Sequence, residues 1–427
     1  MIIHVVRPGD SIYSIARQYG VSYTKIIADN ELADPSRLAV GQTIVVLDGT
    51  RTHTIAAGES LFSIALQYGL TMNQLIAANP QITDPARILP GQVIIIPPRT
   101  TRLGTIEVNG YAYPNISMEV LQKTLPNLTY LSIFSYEVNP DGTLRAPEND
   151  TALIQAARAA NVAPLMVITN LEAEGGFSSD VARAILSSEE VQDRLLTNIL
   201  TTLSEKNYYG LDIDFEYVYP EDRELYNNFL RRATARLRPQ GYTVTTALAP
   251  KISAEQRGIL YEAHDYPVHG ALADHVILMT YEWGYTFGPP MAVAPLNEVR
   301  RVLNYAVSAI PRQKILMGIP NYGYDWTLPF TPGSRATTLS NVGAVEQAIR
   351  VGAAIQYDTI AQSPFYNYYD QQRRQHVVWF EDARSIEAKL RLVNEYNLGG
   401  VSYWTIGRYF PQNWLVLRAM YDVRKVL

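Results

Sequence analysis

The chain has 427 residues, which is too long for one ordinary domain and predicts two or more. With 47% hydrophobic and 18% charged residues it has the material for a large core, which excludes a disordered polymer. A net charge of -5 supplies no basic excess for nucleic-acid phosphates or an anionic membrane, and the absence of cysteine excludes disulfides, thiolate metal sites and a cysteine nucleophile.

The N-terminus, Met1-Ile2-Ile3-His4-Val5-Val6-Arg7-Pro8-Gly9-Asp10, lacks the basic start and apolar run of a signal peptide. No window is apolar enough to predict a membrane span. The expectation is a protein that stays in the cell that makes it, or leaves by a route other than general secretion.

The first hundred residues hold an internal repeat. His4 to Ile12 overlays His53 to Leu61, Ser14-Ile15-Ala16-Arg17-Gln18-Tyr19-Gly20 overlays Ser63-Ile64-Ala65-Leu66-Gln67-Tyr68-Gly69, and Asn30 overlays Asn79. After one inserted residue, Asp34-Pro35, Arg37 and Gly41-Gln42 meet Asp84-Pro85, Arg87 and Gly91-Gln92. Each copy predicts a strand, two short helices and a closing strand, with units at 1–48 and 50–98. Two copies are too few for a solenoid, so each is read as a small module. The Gly-Asp-Ser or Gly-Glu-Ser start and the closing Gly-Gln before a strand resemble the LysM module. That resemblance implies binding of polymers containing N-acetylglucosamine, peptidoglycan or chitin; a structural or protein-binding pair is the other reading.

Pro97-Pro98-Arg99-Thr100-Thr101-Arg102 predicts a hinge. From 103 to 427, short apolar strands alternate with amphipathic helices. Strands are expected near Thr105–Tyr113, Tyr130–Tyr136, Ala163–Asn170, Gly210–Val218, Thr243–Ala249, His275–Trp283, Ile315–Tyr322 and Gly400–Trp404. Eight such strands predict an α/β fold of the TIM (β/α)8 type, with a doubly wound open sheet as the alternative. The surplus length falls at about 325–380, where a small α+β insertion between strands seven and eight is expected.

Within Gly210-Leu211-Asp212-Ile213-Asp214-Phe215-Glu216 three acids occupy alternate positions. Strand side chains alternate faces, so Asp212, Asp214 and Glu216 point one way and Leu211, Ile213 and Phe215 the other. Clustered carboxyls cannot all ionise cheaply, so at least one keeps its proton near neutrality, as a general acid must. Glu216, nearest the C-terminal mouth of its strand, is the expected proton donor. Acids two apart on one strand lie roughly 6.5 to 7 Å apart on the same wall, which is wrong for a nucleophile facing an acid across a scissile bond. If the substrate's own N-acetyl oxygen attacks, Asp214 can orient the amide and Asp212 can set the charge of Asp214. An ordinary double displacement with Glu282 as nucleophile is the fallback. Hard cations also accept three acids, but the six histidines show no zinc-site spacing, and neither a metal nor a cofactor is expected.

The acid strand resembles the Asp-Gly-x-Asp-x-Asp-x-Glu signature of family 18 glycoside hydrolases, with Tyr209 where the leading aspartate usually stands. Met279-Thr280-Tyr281-Glu282 is similar to the family's strand-six Met-x-Tyr-Asp, with Glu282 in place of aspartate, and implies that Tyr281 contacts the N-acetyl group. Trp404 in Gly399-Gly400-Val401-Ser402-Tyr403-Trp404 resembles the strand-eight tryptophan beneath the reacting sugar. Asn170, Glu282, Trp283 and Tyr322 join Trp404 as expected substrate-binding residues. Ala247 to Lys251, Tyr261 to Tyr266, Thr280 to Tyr285 and Tyr324 to Pro329 resemble a spore-associated subgroup, the cortex-fragment-lytic N-acetylglucosaminidases of endospore formers. The resemblance implies retaining, substrate-assisted hydrolysis in spore cortex peptidoglycan by a spore-associated enzyme. A chitinase and a non-catalytic carbohydrate-binding protein are the alternatives.

Overall fold

The computed structural model describes residues 1–47, 51–97, 102–172 and 175–427. Residues 98–101 of the expected hinge lie outside them.

Each N-terminal repeat is a two-stranded antiparallel sheet flanking two helices: Ile2–Val5, Ile12–Tyr19, Tyr23–Asn30 and Thr43–Val46 in the first, Arg51–Thr54, Leu61–Gln67, Met72–Ala77 and Val93–Ile96 in the second. The shared residues build this shape. Ser11 and Ser60 cap the first helix of each module in a reciprocal capping box with Ser14 and Ser63. His4 joins Tyr19 (3.0 Å) to Asp10 (3.1 Å), and His53 joins Tyr68 (3.0 Å) to Glu59 (2.7 Å). Asn30 and Asn79 each accept from and donate to the backbone of the closing strand, through Val45 and Ile95. The repeated histidines and asparagines are thus internal struts.

The modules differ in what they touch. A Cβ on Gly41 would lie 1.9 Å from Ile355 O, whereas one on Gly91 would meet nothing within 4 Å. Gln412 donates to Asn30 (3.0 Å) and to Thr43 O (2.7 Å) and accepts from the Thr43 hydroxyl (2.8 Å). Ala39 packs with Ala344, Ile355 and Tyr366, and Val45 joins the main core. The first module is therefore docked on the large domain, while Leu89, Val93 and Ile95 of the second stay exposed.

The large domain is a closed parallel barrel of β1 (Gly104–Ala112), β2 (Tyr130–Val138), β3 (Ala163–Thr169), β4 (Gly210–Asp214), β5 (Thr243–Leu248), β6 (His275–Leu278), β7 (Ile315–Pro320) and β8 (Gly400–Trp404). The pairing of β1 with β2, Asn109 opposite Tyr130 through Ala112 opposite Ile133, and of β8 with β1 closes it. A helix follows each strand, as a parallel barrel requires. Leu211 and Ile213 on β4, and Phe215 just past its end, face those helices and join the main core, with Phe215 stacked on Phe229 at 5.8 Å. Gly210 has to be glycine, since a Cβ there would come within 2.2 Å of the Thr243 hydroxyl.

Between β7 and β8 stands a five-stranded antiparallel sheet, in the order Thr337–Ser340, Tyr322–Leu328, Gln375–Trp379, Ser363–Tyr369 and Gln356–Asp358, carrying the helix Asn341–Val351. It begins at Tyr322, so that residue belongs to the inserted sheet rather than to the end of β7.

Two strands, β4 and β6, end well short of the reach that the sequence predicts, whereas the others end within about two residues of it. β4 stops at Asp214, because Glu216 N–H turns to Asn170 Oδ1 (3.0 Å) instead of continuing the ladder, and Tyr217 follows with φ of 54°. β6 stops at Leu278, because Thr280 N–H bonds Leu278 O and Tyr281 N–H bonds Met279 O, both at 2.8 Å, coiling the chain away from its neighbours.

Candidate active site

A cleft of about 430 Å³ opens at the C-terminal ends of the strands, a size suited to part of an oligosaccharide. Asp214, Glu216, Tyr281, Glu282, Tyr322 and Trp404 line it. Asp212 lies beneath, fully buried.

Asp212 accepts from the Tyr111 hydroxyl (2.7 Å) and the Ser132 hydroxyl (2.9 Å), both on one oxygen. Ser132 contacts Asn109 (3.1 Å), and Asn109 donates to Ser402 (3.0 Å), so a buried polar chain crosses the barrel below the acids. Burial outweighs the two donors and pushes Asp212 up to about 6. Asp214 is 4% exposed, and its Oδ1, like Asp212 Oδ1, lacks a hydrogen-bond partner among the described residues. Its carboxyl is held well above the usual range by burial, then by the charges of Glu216 and Asp212. Glu216, partly exposed to the cleft, is pushed up to about 7 by burial and by the Glu282 charge. A carboxyl pushed up to about 7 at the mouth, beside a second with an open acceptor oxygen, is an arrangement that suits a general acid with an amide-orienting partner.

Glu282 stands at the rim with φ of 68° and accepts from the hydroxyls of Tyr322 and Tyr324, the latter at 3.0 Å. Both tyrosines come from the inserted sheet, which thereby walls the cleft. Trp404 meets Tyr111 (5.3 Å), Tyr113 (5.8 Å) and Phe134 (4.9 Å) edge to face, forming an aromatic floor. Phe134 sits where β2 breaks register against β3, between Ile133 and Tyr136.

Two expected substrate-binding residues sit elsewhere. Trp283 packs against the main core and is not among the cleft-lining residues. Asn170 faces the chain: its amide donates to Glu216 O (2.8 Å) and Ser178 O (2.9 Å), and its carbonyl accepts from Glu216 N–H. It clamps the acid's backbone because the β3 end lies beside the β4 end, whose carbonyl and amide have left the ladder.

Sequence reading did not find Tyr111, Ser132, Tyr113, Phe134, Tyr324 or Arg408. Ser132 carried a signal, as the one small polar residue inside the otherwise apolar and aromatic run Tyr130–Phe134. Arg408, the sole basic residue lining the cleft among the described residues, lies 5.7 Å over the Tyr322 ring. No cluster of three or more metal-ligating side chains occurs among the described residues.

Comparison with known proteins agrees with this architecture. The model for glycosyl hydrolases family 18 matches residues 108–408, and the LysM domain model matches 4–47 and 53–97. The cortical fragment-lytic enzyme of Bacillus subtilis (strain 168) is 47% identical, covering 100% of this chain and 99% of that protein. Its counterpart in Bacillus anthracis is 44% identical over 99% of each. The crystal structure of the Bacillus megaterium QM B1551 spore cortex-lytic enzyme SleL superposes with a TM-score of 0.90 at 42% identity, covering 100% of this chain and 99% of that one. A chitinase from Chromobacterium violaceum matches at a TM-score of 0.69 and 25% identity, over 74% of this chain and 98% of that one. With the acids at the barrel mouth and the family model spanning the barrel, the chain belongs to glycosyl hydrolases family 18 and carries two LysM modules ahead of its catalytic barrel.

Proposed function

We propose that this enzyme hydrolyses N-acetylglucosaminyl bonds of spore cortex peptidoglycan fragments, with retention and with the substrate's own acetamido group as nucleophile. The observation that carries the reading is the line Asp212, Asp214 and Glu216, in which the outermost acid is pushed up to about 7 and the neighbouring Asp214 has an oxygen without a partner among the described residues, while Glu282, the other acid lining the cleft, is engaged by the hydroxyls of Tyr322 and Tyr324. Full-length similarity to cortical fragment-lytic enzymes supports the cortex as substrate.

Glu216 gives its proton to the glycosidic oxygen as the bond to the anomeric carbon breaks. The acetamido carbonyl oxygen attacks that carbon from the opposite face, the open Asp214 oxygen takes the amide N–H as positive charge builds, and the Tyr281 hydroxyl donates to the acetamido oxygen. Water then opens the cyclic intermediate at the anomeric carbon, giving its proton to Glu216 and restoring the starting configuration. Trp404 supports the apolar face of the sugar. Arg408 offers a cation beside an acidic cleft, which suits the carboxylates of peptidoglycan better than neutral chitin. The modules at 1–48 and 50–98 hold the barrel, 103–427, to the glycan and to a spore-associated site of action.

Mass spectrometry of the products from purified cortex fragments and from chitin oligomers tests the reading. N-acetylglucosamine at the new reducing ends of cortex fragments is expected. New muramic reducing ends, or turnover of chitin alone, would overturn it.

A further inference from the structure

The ends of β4 and β5 are joined by a residue outside both strands. Regular pairing between them stops at Ile213 opposite Thr246, two residues short of the peptide that carries Glu216. Beyond that point His264 fills the gap. Ala249 N–H donates to its Nδ1 (2.8 Å), which leaves the ring proton on Nε2, and Nε2 lies 3.0 Å from Phe215 O. The ring is 1% exposed, so neither bond is exchanged with water. Tyr266 accepts from Lys251 N–H (2.9 Å) and donates to Ala249 O (2.6 Å), fixing the other side of the same loop.

We propose that His264 is a positioning residue for the reaction: its imidazole, as the Nε2–H tautomer, ties the carbonyl of Phe215 to the amide of Ala249 and so fixes Glu216 over the bond to be cut. The inference rests on the proposed role of Glu216. Asn170, just past the end of β3, grips the Glu216 peptide, and His264, in the loop after β5 and tied to Ala249, grips the preceding peptide, so the proton donor is held from both sides although its own strand has ended. Ala249 and Pro250 line the cleft, so the same bond sets one wall of the sugar site. A charged imidazole would lose the Ala249 bond, and the surroundings oppose it. Lys251, whose Nζ donates to His264 O (3.1 Å), the Arg223–Asp265 pair (2.7 Å), Tyr226 and the buried His269 are the titratable and charged groups packed about the ring. Burial and Lys251 hold His264 down to about 4. Glu216 itself faces Asp214, Glu282, Tyr281 and Tyr217.

The test compares His264→Phe, which keeps ring bulk without either bond, with His264→Gln, whose amide oxygen and NH2 can replace both. Full-length proteins are used, below their melting temperatures. His264→Phe is expected to lower kcat by about 30- to 100-fold with KM within about threefold. It should also move the alkaline limb of kcat/KM to lower pH, because a loosened Glu216 regains solvent. His264→Gln should recover kcat to within about fivefold of the parent and restore the limb. Two readouts stand apart from turnover: nitrogen NMR should report the Nε2–H tautomer of His264 from pH 5 to 8, and carbon NMR titration of Glu216 should follow the limb. An unmoved Glu216 titration in His264→Phe, an Nδ1–H tautomer, or a His264→Gln as slow as His264→Phe would each overturn the assignment. Loss of the titration shift with activity intact would reject His264 alone. An inactive parent that keeps the shift would reject the proposed reaction instead.

Discussion

Replacing Asp212 by Asn tests whether the buried acid line costs stability for the sake of its chemistry. Asp212 is 0% exposed and its folded value of about 6 lies above the ordinary 3.8. The ionised form is therefore disfavoured by folding, so stability present below about pH 4 is lost as the pH rises toward about 6. At 1.36 kcal/mol per pH unit the gap amounts to about 3 kcal/mol at pH 7. Asn keeps an acceptor for Tyr111 and Ser132, while its NH2 takes the position of Oδ1, which has no partner among the described residues and returns about 1 kcal/mol. D212N is thus expected to be about 2 kcal/mol more stable at pH 7, with no gain at pH 3.5, and to lose about 10²-fold in kcat as Asp214 loses its neighbouring charge. Urea unfolding at the two pH values, with reducing-end assays at pH 7, reads both effects. Destabilisation at pH 7, or a gain that persists undiminished at pH 3.5, would show that ionised Asp212 carries no such cost.

Asn170→Ala removes two hydrogen bonds to the Glu216 backbone, at 2.8 and 3.0 Å, and one to Ser178 O at 2.9 Å, and should cut kcat by about 10²-fold while KM changes little, in steady-state assays on cortex fragments. Glu282→Gln removes the charge that helps lift Glu216, so the alkaline limb of kcat/KM, near pH 7 in the parent, should move to lower pH; that limb belongs to the Asp214–Glu216 pair. Arg408→Met should reduce kcat/KM about tenfold on carboxylate-bearing fragments and leave neutral chitin oligomers within about twofold, measured side by side. Gly41→Ala and Gly91→Ala share a backbone strain, both at φ of 85°, but only the first meets Ile355. Limited proteolysis should therefore release the first module from the barrel in Gly41→Ala, whereas Gly91→Ala should keep the parent's pattern.

The barrel was legible because its strands are short apolar runs separated by helical patterns, and the acid line because period-two alternation survives one step past the end of β4. The ends of elements were less legible. Whether Glu216 sits in a strand depends on Asn170, 46 residues earlier, and whether Met279 to Glu282 continue β6 depends on local turns that leave the hydrophobic pattern untouched. Tyr111 and Ser132 reach Asp212 from 101 and 80 residues away, a convergence that barrel closure creates and no local window contains. Asn170, expected to contact substrate, instead spends its amide on backbone groups that the end of β4 leaves outside the ladder, which no local window shows. His4 and His53 show the reverse case, where a repeated motif encoded internal struts in both modules.

Substrate assistance is tested most directly by the dependence of cleavage on the 2-acetamido group. Turnover is measured on matched oligosaccharides that carry either acetamido or hydroxyl at that position, with the parent enzyme and Glu216→Gln. Cleavage of the acetamido substrate alone is expected, lost by about 10³-fold or more in Glu216→Gln. Equal cleavage of the hydroxyl substrate, or full rate without the Glu216 carboxyl, would contradict it.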